Sequence, residues 1–184
     1  DFSLLDGAAG IPSLVSRATE LGMQHLALTD HGNMFGALSF YNECKSAGIN
    51  PIIGCELYVA EGSRFEKSES EQKSRYHHFV ALAADETGYR NLMRLSSLGY
   101  TEGFYYKPRV DTESLAKYSE GIIASSACIN GQVPAAVIEG RFEEALRIAG
   151  QYEEIFGKGR FYLELQDHGI PEQKIANKGL IEIS

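Results

Sequence analysis

Apolar residues recur along the chain in two alternating rhythms, one helical and one of short unbroken runs. Residues 11–21 place Leu14, Val15, Ala18 and Leu21 on one helical face, with Pro12 where a helix opens. Residues 25–29 form a short apolar strand that stops at Asp30, His31 and Gly32. A helix over 34–47 follows, closed by Gly48, which can adopt the left-handed turn after a last helical residue. Residues 51–60 make a second strand interrupted by Glu56, and 79–84 a third that leads into a helix over 87–98. The charged stretch 61–75 is expected as a solvated surface loop. Asp111 is placed to cap a short helix. A fourth strand over 122–127 ends at Cys128, and helices are expected over 134–139 and 141–156. A fifth strand over 160–165 stops at Gln166, Asp167, His168 and Gly169, and a last helix runs over 171–183.

Short apolar strands alternating with helices predict an α/β fold with a largely parallel sheet, closed as a barrel or open and doubly wound. A length of 184 residues suits one domain with a sizeable core. With 43% hydrophobic and 23% charged residues the composition is globular and excludes general disorder. Charge changes the picture more: 17 Lys and Arg stand against 25 Asp and Glu, a formal net charge of −8. A self-sufficient nucleic-acid binder carries a basic patch, so any grip on phosphate must come from bound cations or from elsewhere. Cys44, Cys55 and Cys128 lie far apart without a C-x-x-C spacing, which excludes a disulfide framework and a zinc ribbon and fits a reducing compartment. No apolar run of about 18 residues and no secretory pattern is present, so a cytoplasmic location is expected. The opening at Asp1 and the stop at Ser184 inside a helical pattern suggest a chain cut at both ends.

In parallel α/β folds reactive groups gather where strands end, because the following loops converge there. Asp30–His31, Cys128 and Asp167–His168 stand at such ends, and Glu56 is a carboxylate inside an apolar strand that needs a partner or a metal. His77 and His78 stand at the opening of the third strand and break the rule unless that strand enters the site from its first residue. Each has a plainer reading: His31 bonded in a turn, Glu56 paired with Lys107 or Arg109, Cys128 a small buried hydrophobe, and His25 a core or helix-facing residue. Taken together, imidazoles, carboxylates and a thiol on separate elements suit a zinc, manganese or iron site. A nucleophile elbow, a Walker-type loop and a dinucleotide fingerprint are all missing, so acyl transfer, P-loop phosphoryl transfer and dinucleotide binding lack support.

The motifs SLLDGA at residues 3–8, LTDHGNMFG at 28–36 and PIIGCE at 51–56 strongly resemble the PHP (polymerase and histidinol phosphatase) domain that opens bacterial DNA polymerase III α subunits. YHH at 76–78, EGFYYKPRVD at 102–111, SAC at 126–128 and FYLELQDHGIPEQ at 161–173 continue in the same order. The resemblance implies a distorted seven-stranded (β/α) TIM-like barrel, present as a fragment lacking the first strand and the last strand or strands. It implies a site for up to three divalent metal ions, zinc or manganese, of which Asp6, His31, Glu56, His78 and Cys128 are the ligands kept here. The family's H-x-H pair and its late Asp and His fall outside the chain, and Asp167 and His168 match a family segment but not its ligands. Lys107 and Arg109 are candidate phosphate contacts. The implied activity is a metal-dependent phosphoesterase, in some members a 3′–5′ exonuclease, within a magnesium-dependent DNA polymerase whose polymerising domains lie outside residues 1–184. DNA, the proofreading exonuclease subunit, the sliding clamp and the clamp loader are the implied partners, with no membrane. A stand-alone phosphoesterase of the histidinol-phosphatase kind and a silent structural platform are the alternatives.

Overall fold

The computed structural model describes residues 2–3, 7–67 and 76–184. In chain order the elements are α1 (Ile11–Glu20), β1 (His25–Leu28), α2 (Ala37–Ser46), β2 (Asn50–Ala60), β3 (Tyr76–Ala83), α3 (Glu86–Thr101), β4 (Phe104–Tyr105) and β5 (Lys107–Val110). They continue with α4 (Thr112–Lys117), β6 (Ile122–Ser125), α5 (Gln132–Ile138), α6 (Phe142–Phe156), β7 (Phe161–Tyr162) and α7 (Pro171–Ile183). The α/β class is as expected.

The seven strands form one sheet in the order β4-β5-β2-β3-β6-β7, with β1 also paired to β2. It is a mixed sheet, which corrects the expectation of a largely parallel one. β1 and β5 run parallel to β2 and β7 runs parallel to β6, whereas β3 is antiparallel to both β2 and β6 and β4 is antiparallel to β5. The physical reason is the connection. A parallel neighbour needs a crossover, usually a helix, and the charged stretch between β2 and β3 has no helical apolar rhythm. Adjacent strands joined without a crossover run antiparallel. Among the described residues no pairing joins β7 to β1, so the strands make a sheet with free edges here.

Helices form where the apolar spacing gives them a face to bury. In α1, Ile11, Val15 and Ala18 are buried one turn apart, while Leu21 is the 60% exposed C-cap rather than part of the face. With Phe40 and Cys44 of α2 they form a small core over β1. The larger core packs Leu57, Val59, Phe79 and Ala81 against α3, α5, α6 and α7. α2 starts three residues later than expected because the Asn33 side chain accepts from the Phe35 N–H and donates to the His31 carbonyl, holding a turn instead. β7 is short because Glu164 leaves the ladder: its N–H donates to Ser126 Oγ and its carboxylate accepts from Ser125 Oγ.

Gly88, in the first turn of α3, lies against the Gly121 carbonyl that leads into β6, and a methyl group there would overlap that oxygen. Gly150, inside α6, faces open space. Gly88→Ala is therefore expected to destabilise the fold by about 2–3 kcal/mol, the range for overpacking. Gly150→Ala should stabilise it by roughly 0.5–1 kcal/mol through helix propensity. Urea unfolding of the pair checks both signs, and equal effects would contradict the packing described.

Candidate metal centre

Three segments arrive at the middle of β2. The exit of β1 bridges it in parallel at His31 and Glu56, with the Gly32 N–H donating to the Glu56 carbonyl at 2.8 Å and the Glu56 N–H to the Asp30 carbonyl at 3.0 Å. β3, being antiparallel, begins where β2 ends, and His78 faces Tyr58 across the pair. β6 is antiparallel to β3 in turn, so its exit lies beside the start of β3, where the His78 N–H donates to the Asn130 carbonyl at 3.1 Å. The histidines at the opening of β3 thus obey the strand-end rule after all. Their strand starts at the end where its neighbours stop.

The side chains meet accordingly. Glu56 Oε1 lies 2.6 Å from His78 Nδ1, and Oε2 lies 3.2 Å from His31 Nδ1. Cys128 Sγ is 3.4 Å from the same His78 nitrogen, and the two imidazole centroids are 6.2 Å apart. The Glu56–His78 approach is an ion-pair contact without hydrogen-bond geometry, so Glu56 Oε1 takes no hydrogen bond. The neighbouring Cys128 thiol, then Glu56, raise the His78 pKa to about 9 against the opposing effect of burial. Burial first, then Asp30 and Glu56, push the Cys55 thiol up to about 12, which leaves it a neutral core residue. A cavity of about 380 Å³ opens beside Ser3, Asp30, His31 and Glu56.

Asp30 lies at the site too: the sequence pattern marks it with His31 as a strand end, but of the two the ligand set implied by the resemblance includes only His31. Asp30 is 6% exposed, its Oδ1 accepts from Ser3 Oγ at 2.7 Å, and its Oδ2 is buried without a partner. Ser3 Oγ in turn accepts from the His31 N–H at 3.2 Å, tying the start of the chain to the exit of β1. The signal was a carboxylate at a strand end, where a buried charge needs compensation. Tyr58 and Tyr76 were not foreseen either, and their rings lie 5.5 and 6.4 Å from that of His78.

Among the described residues no group of three or more His, Cys, Asp and Glu is spaced to hold a metal ion as it stands. The donors nevertheless fit a divalent cation by chemistry: imidazole, carboxylate and thiol converge, and two buried carboxylate oxygens lack a hydrogen-bond donor. Ligands on one tetrahedral ion with bonds of about 2 Å stand roughly 3.3 Å apart, so Glu56 and His78 would separate to share one. Asp6 lies outside the described residues.

The remaining candidates separate cleanly. His77 projects to the other face and contacts Glu61 at 3.2 Å, which leaves His78 alone at the site. Glu56 pairs with the two histidines and not with Lys107 or Arg109. Arg109 is corrected from phosphate contact to internal strut. It is fully buried, and its guanidinium donates to the carbonyls of Gly103, Arg64 and Glu66. Lys107 stays at the mouth, its ammonium 5.3 Å from the Tyr58 ring centroid. His25 is exposed at the start of β1, beside Asn50, which corrects its expected core position. Asp167 and His168 sit exposed in the turn before α7, where His168 contacts Gln173.

The PHP domain family profile matches residues 1–168. The chain is 50% identical over its whole length to a DNA polymerase III subunit alpha of Borreliella burgdorferi and 53% identical to that of Treponema pallidum. A Thermus aquaticus subunit is 44% identical, again over the full chain. The chain spans only 16% of the length of the first two. Among solved structures, one assigned as a metal-dependent phosphoesterase from Bifidobacterium adolescentis superposes with a TM-score of 0.52 at 13% identity. The match covers 95% of this chain and 80% of that one, a likeness of fold. The chain belongs to the PHP domain family, in the branch carried by bacterial DNA polymerase III α subunits.

Proposed function

We propose that this domain is a metal-dependent phosphoesterase acting as a 3′–5′ exonuclease on DNA, within a cytoplasmic replicative DNA polymerase. The observation that carries the reading is the meeting of His31, Glu56, His78 and Cys128 from three strand ends and a strand interior. In this reading the sheet belongs to a distorted seven-stranded (β/α) barrel of the PHP type. Asp6 joins the four meeting residues as a ligand to up to three zinc or manganese ions. Similarity over the whole of this chain to a part of polymerase subunits favours that setting over a stand-alone phosphoesterase. DNA, the proofreading subunit, the sliding clamp and the clamp loader are its partners, and magnesium serves the polymerising domains.

A bound divalent cation supplies Lewis acidity toward a phosphate ester and lowers the pKa of a water. The protein's own residues make the rest possible. Buried Asp30 and half-buried Glu56 provide carboxylates that favour cations in a chain whose overall charge would repel DNA. Ser3 and the Asn33 turn fix the backbone of His31 through its N–H and its carbonyl, which sets where its side chain starts. Tyr58 and Tyr76 wall the site beside His78 and restrict water on that side. Lys107 stands at the rim to meet a phosphate oxygen.

In the full-length protein His31→Ala and Glu56→Ala should each lower bound metal and 3′–5′ cleavage of single-stranded DNA by about tenfold or more. Cys128→Ser should do so more mildly, since a hydroxyl is the poorer soft-metal ligand. Exposed His25→Ala should leave both unchanged. Metal analysis of each variant decides, and full occupancy in both His31→Ala and Glu56→Ala would sink the assignment.

The raised His78 pKa has a sign that can be checked in chelated protein. A histidine whose folded pKa lies above its unfolded value of 6.5 stabilises the fold fully below that value. The contribution is lost as pH rises toward about 9. Stability should therefore fall between about pH 6.5 and pH 9 in the metal-free protein, and His78→Gln should flatten that slope. Metal affinity should rise over the same interval, because binding displaces the proton. A slope unchanged by His78→Gln would assign the pH dependence elsewhere.

A further inference from the structure

The β4–β5 hairpin turns through a single residue, Tyr106, between paired Tyr105 and Lys107. Tyr106 has φ 58, a left-handed conformation that favours glycine, and it is 79% exposed. Folding alone would favour a small residue there; a large ring held in water invites a partner. The ring is braced, its centroid 4.6 Å from that of Tyr105 in an edge-on arrangement. Beside the hairpin, Tyr100 and the half-exposed Phe104 stack at 6.2 Å.

The hairpin is also seated on the metal centre. Gly32, the residue after His31, is pressed so close to Pro108 and Tyr58 that a Cβ there would lie 2.8 Å from Pro108 Cγ. Lys107 reaches over Tyr58, whose ring lies against His78. An exposed aromatic ring and a cation beside the candidate site thus stand on consecutive residues, Tyr106 and Lys107.

We propose that this hairpin is a lip for single-stranded DNA, with Tyr106 as the platform on which a base stacks while Lys107 meets the adjoining phosphate. The inference rests on the reading of the site as one that acts on DNA, and it adds the element that distinguishes a polynucleotide from a small phosphate ester. Single strands are the fitting ligand because their bases have free faces, whereas a duplex keeps its bases stacked on one another. Stacking on an aromatic side chain is tolerant of sequence, as an exonuclease requires.

The test uses the full-length protein and a short single strand carrying 5-iodouracil near its 3′ end, irradiated with the metals chelated. A crosslink to Tyr106, located by mass spectrometry, is expected; it should be lost in Tyr106→Gly and kept in Tyr106→Phe, which retains the ring. Glycine suits the left-handed turn, so loss in that variant does not reflect misfolding. With metals restored, Tyr106→Gly should raise KM for the oligonucleotide about tenfold and leave kcat unchanged. The crosslink needs neither metal nor cleavage, so failure of the exonuclease reading shows separately, as a wild-type protein that does not cut. An absent crosslink at residues 104–107, or one unchanged in Tyr106→Gly, overturns the lip. So does a Tyr106→Gly protein that keeps its crosslink and instead loses assembly with another replication protein.

Discussion

Glu56 sits in a gap in the ladder of β2, and the site is arranged around that gap. On one edge, β1 pairs with residues 50–53 of β2 and β5 with residues 58–59. Between them, among the described residues, the backbone pairing on that edge is the His31 bridge. A carboxylate half-buried at such a point needs polar partners, because unpaired burial costs several kcal/mol. The histidines at the exit of β1 and the start of β3 meet it from either side. Without the antiparallel reversal into β3, His78 would lie at the far end of the sheet, out of reach of Glu56.

A second charged network, below the rim, holds the hairpin and the start of the charged loop in place. Arg64 lies 2.8 Å from Glu102 and 3.0 Å from Asp111, the residue that caps α4 with Ser114. Burial would raise the Asp111 carboxyl, but the hydrogen bonds from Arg64 and Ser114 and the guanidinium charge outweigh it and hold the pKa below its ordinary value. Arg109 completes the frame from inside, its charge spent on backbone carbonyls. Removing one partner from such a buried set costs about 3–5 kcal/mol. The frame is therefore structural, its charges paired with one another and with backbone carbonyls.

Much of this was legible in the sequence, and the limits have physical causes. Helices with a strong apolar face, such as α1 and α6, were located to within a residue or two, because their spacing admits one reading. Gly48 ends α2 with φ 74, and Asp111 caps α4, each as its chemistry demands. β4 and β5 escaped because Lys107, Pro108 and Arg109 interrupt the apolar run that marked the other short strands. The reversal at β3 was hidden because periodicity reports burial and not direction. Of the site residues, His31, Glu56, His78 and Cys128 were legible as polar interruptions at strand ends or inside a strand. Arg109 misled because a charged residue beside a site suggests substrate, and only packing reveals that its donors point inward.

Two non-glycine residues among those described adopt the left-handed conformation, and their positions bear on how the site is built. Ala127 has φ 57 and directly precedes Cys128; Tyr106 has φ 58 and directly precedes Lys107. Each such residue costs on the order of 1 kcal/mol, a strain that persists only where the surroundings over-determine it. The surroundings do so at both places. Gly131 packs against the Ser126 carbonyl with no room for a side chain, closing the Cys128 turn, and Gly103 does the same against the Arg109 carbonyl, closing the hairpin. A left-handed residue turns the chain sharply, so the next side chain departs from the direction its strand would have given it. At the exit of β6 that turn brings the Cys128 thiol to His78, and at the tip of β4 it brings the Lys107 ammonium over Tyr58. The same device, a strained turn locked by a glycine contact, thus sets the Cys128 thiol beside His78 and the Lys107 ammonium over Tyr58.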